Sequence, residues 1–80
     1  MYKIIFHKDV AKDLKSIPTD LIKVIKTAIN ERLSIRSYDF KPLSGKKYKG
    51  LYRLRVSNFR IIYRILEDTY SVIILAIGHR

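Results

Sequence analysis

The stretch LYRLRVSNFRIIYRI, residues 51–65, decides the reading of this chain. Apolar or aromatic residues alternate with arginines on both sides of Ser57-Asn58. Period-two alternation around a short polar pair predicts two antiparallel strands joined by a tight turn. With a two-residue turn, Val56 faces Phe59, Leu54 faces Ile61 and Tyr52 faces Tyr63. These six make one apolar face. On the other face Arg55 opposes Arg60, Arg53 opposes Ile62, and Leu51 opposes Arg64. A slip by one residue destroys this separation, so the pattern itself argues for the register.

Working outward, the residues before the hairpin break any periodicity. SYDFKPLSGKKYKG, 37–50, holds Pro42, Gly45 and Gly50 and reads as a loop, with Lys41, Lys46, Lys47 and Lys49 along it. Upstream, Leu21, Ile22, Ile25, Ala28, Ile29 and Leu33 form a helical stripe. That helix is expected to run to about residue 35, with Thr19 or Asp20 as its cap. A shorter helix precedes it, with Val10, Leu14 and Ile17 at helical spacing, Asp9 placed to cap it and Pro18 ending it. YKIIF, 2–6, reads as a first strand. Downstream, YSVIILAI, 70–77, is nearly all apolar and belongs inside the sheet, with both faces at least partly covered.

The order is β-α-α-β-β-β, an α+β fold. A mainly antiparallel four-stranded sheet is expected to carry the two N-terminal helices on one face. With 80 residues, one domain spanning 1–80 and one small core are expected.

Composition narrows the chemistry. Seventeen Lys and Arg against seven Asp and Glu give a net charge of +10, which points to a polyanionic partner. There is no apolar run long enough for a bilayer, no apolar leader at the start and no basic amphipathic helix with aromatic anchors. A cytoplasmic protein without a membrane role is therefore expected. Cysteine is absent, and His7 and His79 have no ligand cluster around them, so neither a metal nor a cofactor is expected. His7 reads better as a surface or helix-capping residue. Phosphate-loop and dinucleotide spacings are missing, as are paired carboxylates in the candidate site.

What stands out is the arginine face. Directly opposed like charges destabilise a strand pair, and the hairpin contains no acid. A solvated face of long stems covering apolar surface accounts for one such arginine. For three convergent ones, a bound anion resolves the repulsion better, and guanidinium forks suit phosphate. A two-residue turn at Glu67-Asp68 sets Leu75 beside Arg60, Ile73 beside Ile62 and Ser71 beside Arg64. It brings the end of the last strand, with Gly78, His79 and Arg80, toward Arg53, Arg55 and Arg60. The lysines of the loop, with Arg64, are candidates to hold flanking phosphates, and Tyr48 and Phe40 to stack on bases or cover the core. RNA cleavage by the neighbouring 2′-hydroxyl asks for little more than such a cationic cup. Arginines stabilise the charge that builds on phosphorus, and His79 is the candidate proton carrier.

The whole chain resembles RelE-type toxins of the RelE/ParE toxin–antitoxin superfamily. The resemblance is carried by LYRLRV, a short turn, FRIIYRI and the closing IGHR, with YKIIFHKDVAKDLKSIP fitting the start. It implies ribosome-dependent cleavage of mRNA in the A site, countered by a cognate antitoxin that wraps the toxin. By position, Arg53 and Arg55 match basic strand residues acting at the scissile phosphate and in proton transfer. Arg60 matches the transition-state arginine, and Arg80 the basic residue after the last strand. His79 falls where some relatives carry a catalytic histidine. The family also has a tyrosine several residues beyond this point, where the present sequence stops at Arg80, so weak cleavage is an expectation for the 80-residue form. The same resemblance leaves a ParE-like inhibitor of DNA gyrase as an alternative. Charge alone also leaves a non-catalytic module that binds RNA or an acidic antitoxin.

Overall fold

The computed structural model describes residues 2–36, 41–43, 45 and 50–79, the side chains of Arg36 and Lys41 excepted. The order is β1 (Lys3–Phe6), α1 (Val10–Lys15), α2 (Thr19–Arg36), β2 (Lys41–Pro42), β3 (Leu51–Val56), β4 (Phe59–Leu66) and β5 (Ser71–His79). Four strands of four residues or more and the two-residue β2 form one sheet, in the order β1-β5-β4-β3-β2. All neighbours are antiparallel except β1 and β5, which run parallel with Lys3 beside Ser71 and Phe6 beside Ile74. The sheet is therefore mixed, and β5 lies inside it, as its unbroken apolar run requires.

The sheet's alternating residues and the helical stripes meet in one core. Val10, Ile17, Ile25, Ala28, Ile29 and Leu33 are buried together with Leu54, Val56, Phe59, Ile61, Tyr63, Val72, Ile74 and Ile77. Tyr52 stacks on Tyr63 with ring centroids 5.6 Å apart.

Several local expectations change. Asp9 makes no side-chain cap; its N–H instead donates to Nδ1 of His7 at 3.1 Å, so the imidazole covers the start of α1. Thr19 and Asp20 lie inside the first turn of α2, where the Pro18 carbonyl accepts from the N–H groups of Leu21 and Ile22. Proline suits that place because it gives up a donor the helix start leaves unused anyway. The segment 37–50, expected as a loop, contributes the edge strand β2, with Lys41 opposite Arg53 and Pro42 opposite Tyr52.

The largest difference lies between β4 and β5. A two-residue turn was expected; the connection is instead a 3-10 turn, Glu67–Thr69, followed by Tyr70 in the left-handed region at φ 49°. Leu66 therefore pairs with Ser71, and Arg64 with Ile73. Farther along, the register shifts again: Tyr63 pairs with Ile74 but Ile62 with Ala76, leaving Leu75 as a bulge. Arg60 consequently faces Gly78 rather than Leu75, and Phe59 faces His79.

Beyond Phe6 the first strand has ended while β5 runs on. There the Asp13 carboxylate of α1 takes the place of a neighbouring strand: Oδ2 accepts from the Ile77 N–H at 3.0 Å. Among the described residues no helix is long and apolar enough to cross a membrane.

Candidate anion-binding face

The hairpin forms in the expected register. Arg55 pairs with Arg60, Arg53 with Ile62 and Leu51 with Arg64. The turn rests on Ser57 at φ 54°, a conformation that favours glycine or asparagine. Buried Leu54, Val56, Phe59, Ile61 and Tyr63 fix one face against the helices. Alternation then leaves Arg53, Arg55, Arg60 and Arg64 on the opposite face. Arg55, Arg60 and Arg64 are exposed and Arg53 is half-buried.

Among the described residues, none of these four arginines forms an ion pair; the ion pair present there is His7–Asp9, at 3.6 Å. Among the described residues no hydrogen-bond acceptor engages these guanidiniums, and each has five donors to offer an outside acceptor. Half-buried Leu51, Ile62, Ile73 and Ala76 lie between them, so the face is basic and apolar at once. The row Arg55–Arg60–Gly78 ends in open space: a Cβ on Gly78 would meet no atom within 4 Å. Gly78 stays extended within β5.

His79 does not join this cluster. Its ring packs on buried Phe59, with centroids 4.6 Å apart, on the core side of the sheet. The Leu75 bulge is the cause. One extra residue reverses which side chains of the strand's end face which way, and carries His79 from the arginine side to the other. Among the described residues no group of three His, Cys, Asp or Glu is placed to hold a metal. Arg80, Lys46, Lys47, Lys49, Tyr48 and Phe40 lie outside the described residues, as does the side chain of Lys41.

One contributor was not expected from the sequence. Asp13, which nothing in the pattern of its short helix singles out, anchors the end of β5 next to the arginine face. At the other end of the face, Tyr2 Oη donates to Glu67 Oε1 at 2.7 Å. That hydrogen bond to the carboxylate, with partial desolvation and the Glu67 charge, raises the Tyr2 pKa above its ordinary value.

Comparison with known proteins gives these features a context. Residues 4–80 match the family described as the ParE toxin of type II toxin-antitoxin systems. The chain is 38% identical over 81 residues to Toxin RelE3 of Methanocaldococcus jannaschii, covering 98% of this chain and 90% of that protein. Its fold superposes on the RelBE2 toxin–antitoxin complex of Mycobacterium tuberculosis with a TM-score of 0.89, at 26% identity over 99% of this chain and 98% of that one. The RelB–RelE complex from Methanococcus jannaschii gives a TM-score of 0.69 at 32% identity, over 95% and 89% of the two chains. A β3–β4 hairpin that is apolar toward the helices and acid-free outward is thus set in a fold shared with RelE toxins, and the chain belongs to the RelE/ParE superfamily of type II toxins.

Proposed function

We propose that this protein is a ribosome-dependent mRNA endoribonuclease that blocks translation. The observation carrying this reading is the direct opposition of Arg55 and Arg60, with Arg53 one row away and no carboxylate engaged with any of them among the described residues. Such an arrangement lowers its own energy by taking up an anion, and a phosphodiester in the act of cleavage is the anion it stabilises best. The 2′-oxygen bonds to phosphorus as the bond to the 5′-oxygen breaks, leaving a 2′,3′-cyclic phosphate and a 5′-hydroxyl. The guanidiniums of Arg60 and Arg55 bind the equatorial oxygens, and Arg53 orients the phosphate between them. Arginine does not titrate in proteins, so the 2′-hydroxyl proton passes to water, and water protonates the 5′-oxygen. In this reading Arg80 adds a further cation. His79, packed on Phe59, holds the strand end rather than moving protons. Lys41, Lys46, Lys47, Lys49 and Arg64 hold ribosome and message.

The two solved relatives described above are complexes with antitoxins, which supports a cognate antitoxin as this protein's partner. The matching family carries the ParE name, and this favours one competing reading: inhibition of DNA gyrase by binding alone.

A purified translation system with a ribosome paused on a defined mRNA separates the two. New mRNA ends are mapped by primer extension, with and without ribosomes. Cuts in the A-site codon that need the ribosome, reduced at least about a hundredfold in Arg60→Ala and Arg60→Lys, are expected. Absence of cuts, together with inhibition of gyrase supercoiling, would leave the gyrase reading standing alone.

A further inference from the structure

The arginine face is longer than the cup at one end. Four successive rows cross it, each two residues of strand rise, about 7 Å, from the next. The first holds Arg55, Arg60 and Gly78; the second Arg53, Ile62 and Ala76. The third holds Leu51, Arg64, Ile73 and Ile5; the fourth Leu66, Ser71 and Lys3. Every row contains at least one cation, and Arg55, Arg60, Arg64 and Lys3 are exposed. Among the described residues no acid shares these rows. Beyond the fourth row the sign reverses at once, with Glu67 and Asp68 in the turn.

We propose that this face is a phosphate track for single-stranded RNA, running from the phosphate held by Arg55 and Arg60 past Arg53 and Arg64 to Lys3. This rests on the nuclease reading and extends its substrate from one phosphate to about four. One cation per row, at a pitch comparable to the repeat of an extended single strand, neutralises successive phosphates. Half-buried Ile62, Ile73 and Ile5 between the cations give bases or sugars an apolar floor without sequence readout. The carboxylates of Glu67 and Asp68 repel the next phosphate, so the footprint ends there.

The test uses fluorescently labelled 2′-O-methyl oligonucleotides, which bind without being cleaved, and reads anisotropy. Affinity is expected to rise from trinucleotide to pentanucleotide and to change less than twofold on going to heptanucleotide. Lys3→Ala/Arg64→Ala is expected to weaken the pentanucleotide about tenfold and leave the trinucleotide within twofold. Its salt slope should fall by about 1.4, the counterion release of two single-strand phosphates. Lys8→Ala/Lys15→Ala removes the same charge from the helical side and should leave both lengths nearly unchanged. Equal losses at both lengths, or an equal loss in this second variant, would overturn the track. So would displacement of the pentanucleotide by hexaglutamate at lower concentration than by unlabelled pentanucleotide, since the rows would then fit an acidic polypeptide. Trinucleotide binding untouched in Arg55→Ala/Arg60→Ala would instead sink the nuclease reading itself.

Discussion

The two sides of the β3–β4 hairpin are made from alternate residues of the same strands and meet opposite fates. On one side Leu54, Val56, Phe59, Ile61 and Tyr63 are at most 5% exposed. On the other, Arg55, Arg60 and Arg64 stand in water without ion-pair partners among the described residues. The first side supplies the burial that holds the domain together; the second costs stability through repulsion. Pleating keeps the two apart, so each side is open to change with little effect on the other. That is how a small domain with a single core keeps an unneutralised cationic surface.

The sharpest test of this separation sets neighbours in the chain against each other. Ile61→Ala removes a fully buried side chain and should cost about 2–5 kcal/mol in urea unfolding, while the cation face keeps its layout. A comparable loss in Arg60→Ala would break the comparison. Next comes the anchor at the strand end. Asp13→Ala leaves the part-buried Ile77 N–H without its acceptor and should cost about 1–3 kcal/mol. Asp13→Asn keeps an acceptor and should recover most of that, and an equal loss in both would show that the carboxylate acts through its charge instead. Smaller again, Arg55→Thr removes one member of the opposed pair and should raise stability by about 0.2–1 kcal/mol at low salt, while mRNA cleavage falls. If stability drops as well, the arginines belong to the structural side after all. Ser57→Gly relieves the positive φ of the turn and should gain about 0.5 kcal/mol without altering cleavage.

The last prediction concerns pH. The Tyr2 pKa is raised in the folded state, so its contribution to stability is complete below about pH 10, the ordinary tyrosine value, and is lost as pH rises through the folded value. Unfolding curves of the protein and Tyr2→Phe should therefore converge in strong alkali and differ at neutral pH. A difference independent of pH would mean that the hydroxyl contributes only through packing.

The contrast between regions also shows what sequence discloses. The hairpin register was legible because apolar and basic residues alternate there, and a slip would bury guanidiniums. The partner strand gave no such signal. VIILAI, 72–77, is apolar on both sides, so neither the longer turn at Glu67–Thr69 nor the bulge at Leu75 leaves a mark in its pattern. Arg53, Arg55 and Arg60 were therefore placed together correctly, whereas His79 was placed on the wrong side. Asp13 escaped notice because a lone acid on a short helix looks like surface until its distant acceptor role is seen. The parallel seat of β1 was likewise invisible, since YKIIF carries no information about which strand it joins.

That seat bears on how the protein comes into being. The strand β1 has its sheet neighbour in residues 71–74, with both helices and the β3–β4 hairpin between them in sequence. Pairings of that span are slow to form and late to arrive. During translation β1 and the helices emerge before the strand they close on, so completion of the fold waits until residues 71–74 have left the ribosome. A protein proposed to cut the message under a working ribosome would thus gain its final form only once residues 71–74 of the nascent chain are free to take β1 as a neighbour.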